Sequence, residues 1–308
     1  MKSKFKIYLS TFILSMLTLY IGIAYYFSNQ IIKFKKRNLS EEKIELKITS
    51  FSDFGLPQPL EKSFQNEKIT LQAWYFENKK SENCGVILVH GIGATRWRIL
   101  KYAPLFWTRG CHIFTFDHRK HGESSGEYVT YGFHEKYDLK AAVEFFQNLS
   151  GLPRKKIGIL GESFGAATAL QFASLGEPIA FIIAESSYQD LDTIVGKRAE
   201  VLYGSYVKIF IPLTYLFVEL RVDMKVAQTS PLLAAEKIVV PTLLIHSATD
   251  TYTPPSHSEE IYKALKTPHK KLVLTDWGSS HGHSIDDDYE KFRTIVWNFL
   301  EEQKFFSE

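Results

Sequence analysis

Five short runs of the chain are apolar at nearly every position: Val86-Ile87-Leu88-Val89, Ile113-Phe114-Thr115-Phe116, Ile157-Gly158-Ile159-Leu160, Ala180-Phe181-Ile182-Ile183 and Thr242-Leu243-Leu244-Ile245. A strand with one wet face alternates polar and apolar residues, so near-continuous runs need cover on both faces. Helices packed on the two sides of a mainly parallel sheet supply that cover. Helical stretches are expected around 96–107, 134–149, 164–175, 256–265 and 286–302, the last with Tyr289, Phe292, Ile295, Val296 and Phe299 at core spacing. Ile69, Leu71, Ala73 and Tyr75 alternate and predict an earlier, half-exposed strand; Leu272-Val273-Leu274 predicts a later one. The pattern is that of an α/β fold.

Residues 188–237 interrupt this rhythm, since some fifty residues stand where a simple crossover needs far fewer. They predict an inserted helical cap. Its stretch Val201 to Val222 is apolar and aromatic, broken by Lys208, Pro212 and Glu219, and reads either as a lid over an apolar substrate pocket or as ordinary packing of cap on body, rather than as a second membrane span.

With 308 residues, 45% of them hydrophobic, the chain can bury a large core. Lys and Arg number 37 against 34 Asp and Glu, and much of this small excess sits near the N-terminus. No basic face is left to track a phosphate backbone, so nucleic acid is not an expected partner. Cys84 and Cys111 form neither a disulfide framework nor a cysteine-based metal site, and are expected as free buried thiols; pairing them requires an oxidising compartment.

From Ile7 to Ile32 the chain carries no charge. As a helix these residues extend roughly 39 Å at the standard rise, more than the hydrocarbon core of a bilayer. Ser10, Thr11, Ser15 and Thr18 can bond back to helix carbonyls, and Tyr20, Tyr25 and Tyr26 suit an interface. No small-x-small cleavage site follows, which favours an uncleaved single-pass anchor with the lipid bilayer as partner through residues 7–32. Lys2, Lys4 and Lys6 flank one end, and Lys33, Lys35, Lys36 and Arg37 the other, so the positive-inside rule does not orient it. The expected organisation is a membrane anchor (1–33), a charged connector and lead-in (34–64), the first part of the core (65–187), the cap (188–237) and the second part of the core (238–308). Oligomeric state is left open.

Gly161-Glu162-Ser163-Phe164-Gly165 follows directly on an apolar strand and opens a helix, the context a strained nucleophile turn requires. A serine hydroxyl needs a base to take its proton and a third group to orient that base. Asp250 lies shortly after the strand ending at His246, and His281 in the loop after the next strand, giving the chain order Ser163, Asp250, His281. His283 competes as the base and Asp276 as a weaker alternative acid. His90-Gly91-Ile92-Gly93 closes the strand Val86 to Val89, and the backbone N–H groups of Ile92 and Phe164 are the expected oxyanion donors. His90 itself reads as a brace for that loop.

These motifs, with Asp117-His118-Arg119-Lys120-His121-Gly122-Glu123-Ser124, Pro241 to Asp250, Pro254-Pro255 and Ser280-His281-Gly282, resemble the α/β-hydrolase superfamily. Within it, the chain is similar to capped bacterial members loosely akin to serine aminopeptidases and monoglyceride-lipase-like enzymes, over about residues 65–303. The resemblance implies a mainly parallel eight-stranded sheet with a helical cap. It assigns nucleophile, acid, base and oxyanion donors to Ser163, Asp250, His281, and Ile92 with Phe164. Two positions depart from the usual pattern: Lys120 stands where a glycine is common, and Ser247 where a glycine follows the strand histidine. Arg119, His121 and Ser124 are expected to hold their loop in shape.

The resulting expectation is a membrane-anchored serine hydrolase that cleaves a carboxylic ester of acyl or lipid-like character through an acyl-enzyme. A serine aminopeptidase, with Glu162 or Glu185 holding the substrate amine, and an acyltransferase use the same triad. A non-catalytic hydrolase-fold binding protein is the contrasting class. Asp286-Asp287-Asp288 suits a helix start better than a metal site, and no phosphate loop or dinucleotide fingerprint is present, so neither metal nor cofactor is expected.

Overall fold

The computed structural model describes residues 2–80 and 83–306. The outermost positions of the expected anchor and of the last core segment, 1 and 307–308, lie outside these residues. Strands β1 (Leu60–Asn66), β2 (Ile69–Phe76), β3 (Gly85–Val89), β4 (His112–Phe116), β5 (Ile157–Glu162), β6 (Ile182–Glu185), β7 (Thr242–Ser247) and β8 (Lys270–Thr275) form one sheet in the order β1-β2-β4-β3-β5-β6-β7-β8. The β1–β2 and β2–β4 pairs are antiparallel and all others parallel. Every residue of β3 to β7 is buried, which is why these segments read as unbroken apolar runs.

The α-helices in chain order are α1 (Lys2–Ile32), α2 (Leu39–Glu45), α3 (Pro104–Trp107), α4 (Glu135–Ser150), α5 (Phe164–Ala173), α6 (Leu191–Tyr203), α7 (Ile211–Val222), α8 (Pro231–Ala235), α9 (Ser256–Ala264), α10 (Ser284–Asp287) and α11 (Tyr289–Glu302). Side chains alternate across the sheet into two cores. Ile87, Val89, Phe114 and Ile159 pack with Phe146 of α4 and Phe172 of α5 on one side. Val86, Leu88, Ile113 and Leu160 pack with Phe106, Phe292 and Phe299 on the other. A third cluster joins Ile31 and Ile32 of α1 to Leu191, Val218 and Met224 of the cap.

Several boundaries differ from the sequence reading. The helix expected over 96–107 is a 3-10 turn at Arg98–Tyr102 followed by α3, because Pro104 has no N–H to continue the ladder and takes the first position of a new helix. The helix expected over 286–302 breaks at Asp288, whose side chain accepts from the Lys291 N–H and restarts the chain as α11.

The expected core boundary at 65 falls inside β1, a strand with only Phe64 buried and therefore little apolar signal. The segment ahead of it is tied to the body. An Asn38/Glu41 capping box starts α2, and buried Glu42 accepts from the Thr95 N–H at 2.7 Å and pairs with Arg98. Phe51 stacks on Trp97 at 4.5 Å. The cysteines also depart from expectation: Cys84 and Cys111 are joined in a disulfide rather than left as free thiols. They precede β3 and β4, whose first residues Gly85 and His112 are register partners, so the topology brings the two sulfurs together.

Candidate active site

The turn from β5 into α5 places Ser163 at φ 53°, ψ −114°, a conformation that costs on the order of 1–3 kcal/mol and holds only where its surroundings fix it. Two glycines permit it. A Cβ on Gly161 would meet the Gly165 backbone at 2.4 Å, and one on Gly165 would lie 2.0 Å from the Val89 carbonyl oxygen. The Ser163 N–H donates to the Glu185 carbonyl at 2.8 Å, tying the turn to β6.

Two loops from distant parts of the chain converge on this serine. His281 Nε2 lies 2.8 Å from Ser163 Oγ, and His281 Nδ1 lies 2.6 Å from Asp250 Oδ2. Oδ1 of Asp250 accepts the backbone N–H groups of Tyr252 and Thr253, both at 2.9 Å, while His246 Nε2 stands 3.2 Å from Oδ2. Burial pushes the Asp250 carboxyl up, but the hydrogen bonds from His246 and His281, with the His281 charge and the Thr253 N–H, outweigh it and hold the acid well below its ordinary value. Asp250 is thus a fixed negative charge aimed at the Nδ1 edge of the imidazole.

The competing residues are placed elsewhere. His283 turns to Asp286, 2.8 Å away, and Asp276 is exposed. Glu162 and Glu185 lie buried beneath the turn, where the Tyr102 hydroxyl bridges them and Lys101 stands 2.8 Å from Glu162. Burial raises both carboxyls; Lys101 and Tyr102 outweigh it at Glu162, which ends below its ordinary value, whereas Glu185 stays raised. Asp286 pairs with Lys101 at 2.9 Å. Among the described residues no group of three His, Cys, Asp or Glu is positioned for a metal ion.

Behind Ser163, the Ile92 N–H lies on the loop after β3 and the Phe164 N–H opens α5. Neither has a protein acceptor among the described residues. Neighbouring Gly93 instead donates to His121 Nε2 at 3.0 Å, and His121 Nδ1 is fixed by the Arg119 carbonyl at 2.9 Å. His90 Nε2 accepts the His118 N–H at 3.1 Å. Burial lowers the pKa of His90, His118 and His121; His90 and His121 hold the loop through their ring nitrogens, while the His118 ring packs against His90 and Phe164. Lys120 adopts φ 65°, the conformation a glycine would take, and Ser247 uses its hydroxyl to reach the Ser279 carbonyl at 2.6 Å. Ser247 thereby links β7 to the segment that carries His281.

Ser163 opens into a cavity of about 280 Å³. Ile92, Phe164, Tyr131 and Tyr188 line it together with Leu202, Tyr203, Val207 and Phe210 of the cap. One wall was not foreseen: Phe27, Gln30 and Ile31 come from the end of α1. The body holds that end firmly, since the Val129 N–H donates to the Ile32 carbonyl at 3.1 Å and the Tyr131 hydroxyl to the Ile31 carbonyl at 3.1 Å. Nothing in the sequence separates pocket-lining from lipid-facing residues within an uncharged helix.

A family model for the alpha/beta hydrolase fold matches residues 86–204. The uncharacterized protein YqkD of Bacillus subtilis (strain 168) is 34% identical over 218 residues, covering 70% of each chain. The chain belongs to the α/β-hydrolase superfamily. Among solved members of this superfamily, the Pyrococcus furiosus esterase Pf2001 superposes with a TM-score of 0.67 at 26% identity, over 83% of this chain and 94% of its own. The Pyrococcus horikoshii acylaminoacyl peptidase shares the fold with a TM-score of 0.63 at 21% identity, over 84% of this chain and 45% of its own. The α/β-hydrolase fold and the esterase neighbour support hydrolase activity. By length and composition α1 is able to cross a membrane, with a mean hydropathy of 1.9 over its best window.

Proposed function

We propose that the chain is a membrane-anchored serine hydrolase that cleaves carboxylic esters of acyl or lipid-like character. The observation that carries this reading is the unbroken relay Ser163 Oγ to His281 Nε2 at 2.8 Å and His281 Nδ1 to Asp250 at 2.6 Å, opening into an apolar cavity. Ser163 Oγ attacks the ester carbonyl as His281 takes its proton; Asp250 holds the imidazole in the tautomer that accepts at Nε2 and stabilises the imidazolium. The oxyanion then takes hydrogen bonds from Ile92 and Phe164 N–H. Collapse of the tetrahedral adduct passes the proton from His281 to the leaving alcohol, and water repeats the sequence on the acyl-enzyme.

Esters are favoured over peptides with a free amine. Such a substrate needs an available carboxylate in the pocket, and Glu162 and Glu185 are buried and engaged with Lys101 and Tyr102. The Pf2001 esterase likeness supports the same choice. An α1 of membrane length supports anchoring, and the Cys84–Cys111 pair supports a domain on the oxidising face.

The test is fluorophosphonate labelling of the full chain in mild detergent beside Ser163→Ala, followed by a series of p-nitrophenyl esters. Labelling that disappears in the variant, with turnover of at least one ester, is the expected result. A folded wild type that neither labels nor turns over any ester overturns the reading in favour of a binding module. Adding an acceptor alcohol during turnover separates hydrolysis from acyl transfer by the product formed.

A further inference from the structure

Every residue of α1 from Ser3 to Leu19 is exposed, and contact with the body begins at Tyr20. From there α1 runs alongside α7 in the same direction. Tyr20 stacks on Phe210 at 5.2 Å, Thr214 donates to the Ala24 carbonyl at 3.3 Å, Tyr25 meets Phe217 edge-on at 5.6 Å, and Arg221 donates to Ser28 and Asn29. The Tyr20 hydroxyl also donates to the Ile209 carbonyl at 2.7 Å. The 3-10 turn Ser205–Phe210 therefore sits where α1 leaves the body.

The free part of α1 is too short for a bilayer. Counted from the last flanking lysine, the exposed uncharged stretch Ile7 to Leu19 spans about 20 Å at the helical rise, against a hydrocarbon core of about 30 Å. The missing 10 Å or so corresponds to about seven more residues, Tyr20 to Tyr26. Tyr25 and Tyr26 are both exposed there, as aromatic side chains at a membrane boundary are. That same length of α1 is packed against the tip of the cap, so a bilayer that covers it must also receive the tip.

The tip is built for this. Tyr206 is 88% exposed, and Val201, Leu202 and Ile209 also stand open to the surroundings. Lys208 pairs with Glu200 at 3.0 Å and has a stem long enough to reach a headgroup. We propose that the cap tip, α6 end through the start of α7, is a bilayer-docking surface continuous with α1, inserted to roughly 10 Å and carrying the mouth of the Ser163 cavity to the acyl-chain region. Tyr203, Val207 and Phe210 of the tip line that cavity, as does Phe27 of α1, so an ester can pass from lipid to pocket without crossing water. The docking rests on the reading of α1 as a membrane anchor, and the identity of what enters rests on the serine-hydrolase reading.

The experiment uses the full chain in phosphatidylcholine vesicles. Because Cys84 and Cys111 are paired, a single cysteine at Tyr206→Cys carries the only reactive label, an environment-sensitive fluorophore; Val239→Cys, exposed just ahead of β7 at the opposite end of the sheet, is the control. The label at 206 is expected to blue-shift on transfer from detergent to vesicles and to be quenched by lipids carrying a shallow nitroxide, with the label at 239 unchanged. A label at 206 that stays as wet as that at 239 overturns the proposal. So does one that becomes shielded without nitroxide quenching, which means that a second copy of the chain covers the tip.

Tyr206→Asp with Ile209→Asp adds a functional arm. It is expected to keep wild-type fluorophosphonate labelling in detergent while hydrolysis of a vesicle-embedded ester falls about tenfold or more relative to a soluble short-chain ester. Undiminished hydrolysis of the embedded ester overturns the proposal. Absent labelling of the wild type would instead defeat the serine-hydrolase reading and leave the quenching result standing.

Discussion

Asp250→Asn isolates the electrostatic role of one oxygen. Oδ1 of Asp250 accepts two backbone N–H groups, from Tyr252 and Thr253, so the amide oxygen of an asparagine must take that position. Its NH2 group then faces His281 Nδ1, which sits 2.6 Å from Oδ2, and His246 Nε2 at 3.2 Å. To accept from the amide, His281 has to lose its Nδ1 proton and carry one on Nε2, which blocks the atom that takes the Ser163 proton. Flipping the amide sets a donor against two backbone donors instead. A triad in the wrong tautomer loses about 10^4 in kcat, or about 5.5 kcal/mol at about 1.4 kcal/mol per decade.

The assay is kcat and kcat/KM of the full chain on its best p-nitrophenyl ester across pH, with thermal unfolding as the control for folding. Asp250→Asn activity within about tenfold of wild type, with the fold intact, refutes the assignment of Asp250 as the orienting acid. The same carboxyl gives a second readout. It is held below its ordinary value in the folded state, so it stabilises the fold at pH above the ordinary carboxylate value, and that contribution disappears as pH falls through the acid range. Below about pH 4 the wild type should lose stability more steeply than Asp250→Asn in urea titrations; parallel pH slopes would show that the carboxyl is not depressed.

Phe27→Ala removes a ring that meets Tyr203 at 5.0 Å in the cavity wall and should raise kcat/KM for long-chain over short-chain esters by roughly tenfold; an unchanged chain-length profile places the substrate elsewhere. Replacing Cys84 and Cys111 by serine opens a cross-link separated by 27 residues and should lower stability by about 3 kcal/mol in denaturant titrations, while thiol titration of unfolded, unreduced wild type should find no free cysteine. Lys101→Met strips the cation from buried Glu162 and Glu185 and should cost about 3 kcal/mol. An undiminished melting temperature in that variant would show that the carboxyls do not depend on it.

The sheet and the candidate triad were legible in the chain because both rest on local signals. Strands covered on two faces must be apolar throughout, and a serine lifted on a strand-to-helix turn needs Gly161 and Gly165 beside it at fixed offsets. β1 was hidden because an edge strand with one buried residue carries almost no pattern. The Cys84–Cys111 pair was hidden because proximity across β3 and β4 follows from sheet order, not from spacing along the chain. Burial of Glu162 and Glu185 likewise depends on Lys101 and Tyr102, some 60 or more residues away along the chain. The end of α1 is the largest gap: an uncharged helix reads alike whether its neighbours are lipid, cap or substrate. Composition decides that such a segment avoids water; only the packing of the cap and the loop at Tyr131 against it decides what replaces the water.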